Sequence, residues 1–282
     1  DQGFAAETEI VTRCKNSTQA RAMRRLFLAE RDVGRISGID QNTARRAVNT
    51  AAVVGAGTMG RGIAIALINI GVPVTLVDMQ ADALERARAG IAEIYEDMAG
   101  KGRISAAECA MRLNMLGTTI DLEKLKDTDL VVEAVFEDMA IKQDLFRRLD
   151  KVCKPGAILA SNTSALDIDA IAAATSRSQD VIGLHFFSPA HIMKLVEMVR
   201  GKNTSLETLA SVGACLKRMG KVSVLAGNCD GFIGNRMVRG YLREAGFLLL
   251  EGASPEQVDK AIFEFGMPMG PFVMGDMAGL DI

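Results

Sequence analysis

Ala51-Ala-Val-Val-Gly-Ala-Gly-Thr-Met-Gly-Arg-Gly62 decides the fold. The apolar start reads as a buried strand, the glycines as a tight turn, and Thr58 onward as the first turn of a helix. Gly55, Gly57 and Gly60 match the pattern G-x-G-x-x-G. In that pattern the first glycine allows the turn. The second lets a pyrophosphate approach the backbone, and the third lets the helix lie close to the strand. Backbone N–H groups at Thr58 and Met59, with the positive end of the helix dipole, then face the phosphates. The triplet alone serves equally well as a packing feature, so its neighbours matter. The apolar run Gly62-Ile-Ala-Ile-Ala-Leu-Ile-Asn-Ile70 carries the helix to Gly71, and the next strand, 74–77, ends in Asp78. That acid stands about 20 residues beyond the last glycine, where a dinucleotide-binding unit holds the adenosine ribose. The candidate cofactor residues are therefore Gly55, Gly57, Thr58, Met59, Gly60 and Asp78. The expected cofactor is NAD, because the Asp78 charge repels a 2′-phosphate and Met79-Gln80 places no cation beside it.

Outward from this unit the chain alternates. Strands are expected at 129–135, 157–160, 181–187, 194–199 and 222–225, with helices at 139–152, 167–174 and 205–219. Such alternation gives a mostly parallel sheet covered on both faces. Two helical stretches, 82–98 and 105–116, exceed what one crossover needs. They read either as an insertion that touches substrate or as extra cover for the sheet. After Ala226-Gly-Asn-Cys-Asp-Gly231 the pattern turns helical, at 232–250 and 255–265. Before the glycine unit, Ser17 or Thr18 caps an amphipathic helix reaching about Asp32. Its face of Ala20, Met23, Leu26 and Phe27 is expected to dock on a neighbour, and a polar linker covers 34–50. The fold class is thus α/β, a Rossmann-type doubly wound sheet with a helical insertion. A linker helix precedes it and a truncated all-α C-terminal domain follows. The expected domains are 1–46, 47–227 and 228–282.

Composition excludes several classes. A net charge of -2 leaves no nucleic-acid footprint. Apolar residues make up 49%, but Asn69, Pro73 and Asp78 interrupt the longest apolar region, so no membrane span is expected. The start lacks the basic-then-apolar layout of a secretory signal. Five scattered cysteines without a C-x-x-C pair, and only two histidines, argue against a metal site and suit a reducing compartment. The chain begins without Met and stops at Gly279-Leu-Asp-Ile282, which reads as a piece of something longer.

The chemistry concentrates in two strands. Strand 181–187 carries His185 and strand 194–199 carries Glu197, with Ser188-Pro-Ala190 turning between them. A histidine in an apolar strand is by default a satisfied core residue. A buried carboxylate, however, needs a partner. Paired with an imidazole it fixes the tautomer and stabilises the imidazolium, which makes a general base suited to an alcohol proton. With a nicotinamide as hydride acceptor, the combination points to a dehydrogenase. Glu137 lies just beyond strand 129–135, and Ser161-Asn-Thr-Ser164 ends strand 157–160. Ligand groups collect at that edge of such sheets. The polar cluster serves equally as a cap for helix 167–174.

The segments V-G-A-G-T-M-G, D-L-V-V-E-A-V-F-E, A-S-N-T-S, G-L-H-F-F-S-P-A, M-K-L-V-E, D-G-F-I-G-N-R and G-M-P-M-G-P-F-x-x-x-D-x-x-G-L-D run in order from about Thr50 to the end. Together they resemble the L-3-hydroxyacyl-CoA dehydrogenase family of fatty-acid β-oxidation. The resemblance implies NAD-dependent oxidation of an acyl-CoA thioester substrate. It makes His185 the catalytic base and Glu197 its partner. Ser164 and Asn235 become hydrogen-bonding groups for the substrate's 3-oxygen, and Glu137 and Lys142 join Asp78 as NAD contacts. Ser188 falls where single-activity members carry Asn, and Ser-Pro-Ala resembles the multifunctional forms, which join an enoyl-CoA hydratase/isomerase to the dehydrogenase. Residues 1–46 then resemble the end of that hydratase and its connecting helix, with Gln2-Gly-Phe-Ala-Ala-Glu7 as its closing stretch. The expected partners are the hydratase module and further C-terminal helices of the full-length protein. This chain by itself is expected to show no hydratase activity. Relatives work in bacterial cytoplasm, mitochondria and peroxisomes, and the bacterial cytoplasm is the expected compartment. Two other readings compete: a 3-hydroxyacid dehydrogenase of the hydroxyisobutyrate type, which the H-F-F-S-P and L-V-E segments oppose, and a catalytically silent NAD-binding module.

Overall fold

The computed structural model describes residues 2–278. The chain divides into two compact units, Asp1–Asn228 and Cys229–Ile282. The first unit opens with helices α1 (Gln2–Asn16) and α2 (Thr18–Val33), the second capped by the Ser17 side chain on the Ala20 N–H. Strand β1 (Ala51–Val54) then leads into α3 (Thr58–Ile68) and β2 (Val74–Val77). Helices α4 (Ala81–Gly100) and α5 (Ala106–Asn114) precede strands β3 (Leu116–Thr119) and β4 (Leu130–Glu133). The chain continues through α6 (Met139–Val152), β5 (Ile158–Ser161), α7 (Ile168–Ala172) and β6 (Val181–Phe186). Strand β7 (Leu195–Arg200), α8 (Leu206–Arg218) and β8 (Val222–Gly227) complete the unit.

Among the described residues the sheet has eight strands in the order β3-β2-β1-β4-β5-β6-β7-β8. Every neighbouring pair is parallel except β6 and β7, which run antiparallel. The order departs from β1 in both directions, which is the doubly wound arrangement. Strands β1, β4 and β5 are buried along their whole length, as expected for apolar strands covered on both faces. Helix starts are set locally by side chains that take the orphan N–H groups: Ser105 for α5, Asp138 for α6, Asp167 for α7 and Ser205 for α8.

One expectation needs correction. Helix 105–116 ends two residues early, and Leu116-Gly-Thr-Thr119 forms edge strand β3 on β2. Only Leu116 of that strand is buried, so no apolar alternation announced it. The apolar face of α2 was expected to dock on a neighbour. The helix lies near β8, yet it buries no residue, and Met23, Leu26 and Phe27 remain exposed. The two stretches after β2 act as cover. Leu84, Ala87, Ile91 and Tyr95 of α4 enter the core beside α3, and the Tyr95 hydroxyl donates to Asn69 Oδ1 at 3.1 Å.

The linker before β1 is anchored by Arg46. Its guanidinium donates to Gly156 O at 2.8 Å, to Asp180 Oδ1 at 2.7 Å and to Thr208 Oγ1 at 2.6 Å. These acceptors sit at or before the amino ends of β5 and β6, or on α8. Removing the arginine leaves the largely buried Asp180 carboxylate short of a partner. Arg46→Ala is therefore expected to lower unfolding free energy by about 2 kcal/mol in urea titration, without changing NADH affinity. A variant as stable as the parent would remove this anchor from the account.

The second unit contains α9 (Gly234–Leu250), α10 (Pro255–Phe265) and α11 (Pro271–Ala278). A capping box between Ser254 and Gln257 starts α10, and Gly266 at φ 112° ends it. Asp259 of α10 accepts the Phe272 and Val273 N–H groups and so caps α11. The last residues of the closing sequence motif, Gly279 to Asp281, lie outside the described residues.

Candidate active site

Because β1, β2, β4, β5 and β6 are parallel, their carboxyl ends share one edge of the sheet. The antiparallel β7 begins at that same edge. The turn Gly55–Gly57 follows β1, Asp78 follows β2, Glu137 follows β4 and Ser164 follows β5. His185 sits near the end of β6 and Glu197 near the start of β7.

The three glycines of the first turn differ in what surrounds them. A Cβ on Gly55 would lie 2.3 Å from Ala134 O, and the residue has φ 109°. A Cβ on Gly60 would lie 1.8 Å from Gly55 O. Both are pinned by backbone. Gly57 has nothing within 4 Å of the same position, so its missing side chain leaves open space above the start of α3. Thr58 and Met59 are the first two residues of that helix, whose N–H groups face the same space. Asp78 steadies the turn, accepting the Ala56 N–H at 2.9 Å on one oxygen and the Gln80 N–H at 3.0 Å on the other. An open cradle at a helix N-terminus, with a carboxylate at the end of the next strand, fits the pyrophosphate and ribose of NAD.

A second cluster lies between β4 and β5. Glu133, the last residue of β4, is 0% exposed. Its Oε1 accepts from Lys142 Nζ at 2.6 Å and from the Val135 N–H at 2.8 Å, and its Oε2 accepts from Ser161 Oγ at 2.6 Å. Lys142 is 1% exposed, and its ammonium also lies 3.2 Å from Glu137 Oε2 and 3.4 Å from Val135 O. Glu137 reaches across to the next loop, where its Oε1 accepts from Thr163 Oγ1 and from the Ser164 N–H at 2.8 Å. Burial works to raise the Glu137 pKa. The Thr163 hydroxyl, the Lys142 charge and the Ser164 N–H outweigh it and hold the carboxyl below the ordinary glutamate range.

A buried histidine–carboxylate pair sits one strand further on. His185 and Glu197 are directly opposed residues of β6 and β7. Nδ1 and Oε2 are 2.7 Å apart, with the two residues 6% and 1% exposed. A carboxylate only accepts, so Nδ1 carries the proton and Nε2 is the basic nitrogen of the neutral ring. The Phe187 ring lies against the imidazole at 4.6 Å between centroids. The turn after β6 packs on α3, since a Cβ on Gly62 would lie 3.0 Å from Ala190 Cβ. Lys221 holds that turn by donating to Ala190 O at 2.6 Å and Met193 O at 2.7 Å.

The structure thus gathers Gly55, Gly57, Thr58, Met59, Gly60, Asp78, Glu137, Ser164, His185 and Glu197 along one sheet edge. Lys142 lies behind Glu137, sandwiched between two carboxylates. Asn235 lies in the first turn of α9, in the second unit. Sequence reasoning passed over Glu133, although the signal was there. An acid inside the apolar run L-V-V-E-A-V must find a partner when buried, by the same rule that singled out Glu197. No helix among the described residues is long and apolar enough to cross a membrane.

Residues 50–229 match the family model for the 3-hydroxyacyl-CoA dehydrogenase NAD binding domain, and residues 231–282 match that for its C-terminal domain. The chain is 47% identical to a peroxisomal bifunctional enzyme of Danio rerio, aligning over 100% of its own length and 39% of that protein's. It therefore spans well under half the length of that relative. Among solved structures it is similar to M. tuberculosis FadB2, at 38% identity and a TM-score of 0.81, covering 84% of each chain. A 3-hydroxybutyryl-CoA dehydrogenase from Escherichia coli aligns at 40% identity and a TM-score of 0.80, over 84% of this chain and 50% of that one.

Proposed function

The chain belongs to the 3-hydroxyacyl-CoA dehydrogenase family, and on that premise we propose that it oxidises an L-3-hydroxyacyl-CoA to the 3-oxoacyl-CoA with NAD. The observation that carries this reading is the buried His185–Glu197 pair beside a glycine cradle shaped for a dinucleotide. Neutral His185 takes the 3-hydroxyl proton on Nε2. Glu197, fixed on Nδ1, stabilises the imidazolium that results. Ser164 holds the substrate oxygen, and the motif D-G-F-I-G-N-R gives Asn235 the same task. Gly57, Thr58 and Met59 receive the pyrophosphate, Asp78 the adenosine ribose and Glu137 the nicotinamide ribose. When bound, NAD accepts the hydride that leaves C3. In the opposite direction protonated His185 returns the proton to the 3-oxygen.

Residues 47–227 form the NAD-binding domain in this reading, and 228–282 the start of the helical dehydrogenase domain. Residues 1–46 are the tail of a hydratase module with its connecting helix. That module and further C-terminal helices are the partners we propose, and the exposed Met23, Leu26, Phe27, Phe263 and Phe265 offer them apolar surface. The peroxisome, named for the Danio rerio relative, replaces the bacterial cytoplasm as the compartment we propose.

The test is NADH oxidation driven by acetoacetyl-CoA, run beside the free acid and beside NADPH. Turnover of the thioester, with little from the free acid, supports the reading. NADH bound without turnover would favour the silent module, and a preference for the free acid the hydroxyisobutyrate type. NADPH should be at least about tenfold weaker than NADH, because Asp78 meets its 2′-phosphate with a like charge. Equal affinity for the two would take that role from Asp78.

A further inference from the structure

We propose that Glu133 is a positioning residue of the cofactor site, acting through Lys142 on Glu137 and through Ser161 on the loop that carries Ser164. The proposal rests on the cofactor reading above and goes further, to a residue that neither motif nor family model assigns.

The argument begins with Lys142. An ammonium has three donors. Three acceptors surround this one: Glu133 Oε1 at 2.6 Å, Glu137 Oε2 at 3.2 Å and Val135 O at 3.4 Å. With its donors so directed and 1% of its surface exposed, Lys142 serves the site by fixing Glu137. Its own place is fixed in turn by Glu133, the nearest of the three. Glu133 is rigid for a separate reason. It accepts the Val135 N–H two residues on, and it ends a strand paired on both sides.

The other oxygen of Glu133 reaches the neighbouring strand. Ser161 Oγ donates to it at 2.6 Å, and Ser161 accepts the Thr163 N–H at 3.3 Å. Thr163 and Ser164 both donate to Glu137. The path closes on itself: Glu133 to Lys142 to Glu137 to the Thr163–Ser164 loop, and back through Ser161 to Glu133. One buried carboxylate therefore sets the group expected at the nicotinamide ribose and the group expected at the 3-oxygen relative to each other. Two carboxylates and one ammonium leave the closed path one negative charge in excess. Glu137, the only exposed member of the three, carries that excess toward the ribose hydroxyls, which are donors.

The experiment compares NADH affinity by fluorescence titration, acetoacetyl-CoA kinetics and thermal midpoint in four proteins: the parent chain, Glu133→Gln, Lys142→Met and the double variant. Glu133→Gln keeps the shape but takes the charge from Lys142. Its amide NH2 must also face either Ser161 Oγ or the Val135 N–H. NADH affinity should fall about five- to thirtyfold. KM for NADH should rise with it, and KM for acetoacetyl-CoA should rise too, because the Ser161 link to the Ser164 loop is weakened in the same variant. The single variants each bury an unpaired charge or lose one, so their midpoints should drop. The double variant removes both charges and should recover most of the midpoint, yet keep the weak NADH binding. Recovery of stability without recovery of affinity is what a purely structural pair cannot give. Unchanged NADH affinity in Glu133→Gln, or affinity restored along with stability in the double variant, would overturn the proposal. Because NADH binding is read directly, a parent that binds NADH but reduces no acetoacetyl-CoA would sink the dehydrogenase reading while leaving this one testable on affinity alone.

Discussion

Replacing His185 with Gln is expected to cut turnover by about 100- to 10,000-fold, the range that removal of a positioned general acid–base typically costs. Glutamine can still donate to Glu197 across the β6–β7 pair, so the buried carboxylate keeps a partner and the sheet should hold. What it cannot do is accept a proton near neutral pH. KM for NADH should change little, since the cradle at Gly57 and the cluster around Glu137 do not involve His185. A fall in turnover with unchanged NADH affinity and thermal midpoint is thus the expected pattern. The sign of the pH dependence follows from the same proton. Oxidation of the 3-hydroxyl releases a proton and reduction of the 3-oxo group consumes one, so acidification should disfavour the first and favour the second. Measuring both directions across pH in the parent separates a catalytic proton from simple acid instability, which would weaken both. A variant with full turnover would take His185 out of the mechanism.

The parts of this site that were legible in the sequence are those fixed by local rules. A glycine turn between an apolar strand and an apolar helix has few alternatives, and Gly55 and Gly60 show why, each pressed against backbone. Helices α6 and α10 fall where the sequence placed them, and the structure shows the caps that start them, Asp138 and the Ser254–Gln257 box. The His185–Glu197 pair was legible because a short turn forces neighbouring strands together. Strand β3 was not, since its conformation comes from pairing with β2 and not from its own Gly-Thr-Thr composition. The apolar face of α2 was legible as a docking face but its neighbour was not, and among the described residues Met23, Leu26 and Phe27 stay exposed. Neither was the Glu133 cluster legible as a whole. It joins a strand end, a helix and the following strand, and only the folded chain brings Lys142 and Ser161 to the same carboxylate.

Adding one methyl group at Gly57 or at Gly60 should weaken NADH binding by two separable routes. Gly57 has φ -71° and ψ -170°, ordinary extended backbone that alanine adopts without strain, and nothing lies within 4 Å of the added carbon. Gly57→Ala should therefore unfold within about 0.5 kcal/mol of the parent. Its methyl group nonetheless occupies the space the pyrophosphate must enter, so NADH affinity should fall at least about tenfold, a loss of about 1.4 kcal/mol of binding. At Gly60 the new carbon would overlap Gly55 O at 1.8 Å, backbone against backbone, with no flexible side chain to yield. Helix α3 must move off β1, at a cost of about 1–3 kcal/mol or more. The N–H groups that form the cradle move with it, so affinity is lost together with stability. Urea unfolding and NADH titration on the same two proteins discriminate cleanly. If Gly57→Ala bound NADH as tightly as the parent, the open space above α3 would not be where the cofactor's phosphates lie, and the placing of the whole site on this edge of the sheet would have to be given up.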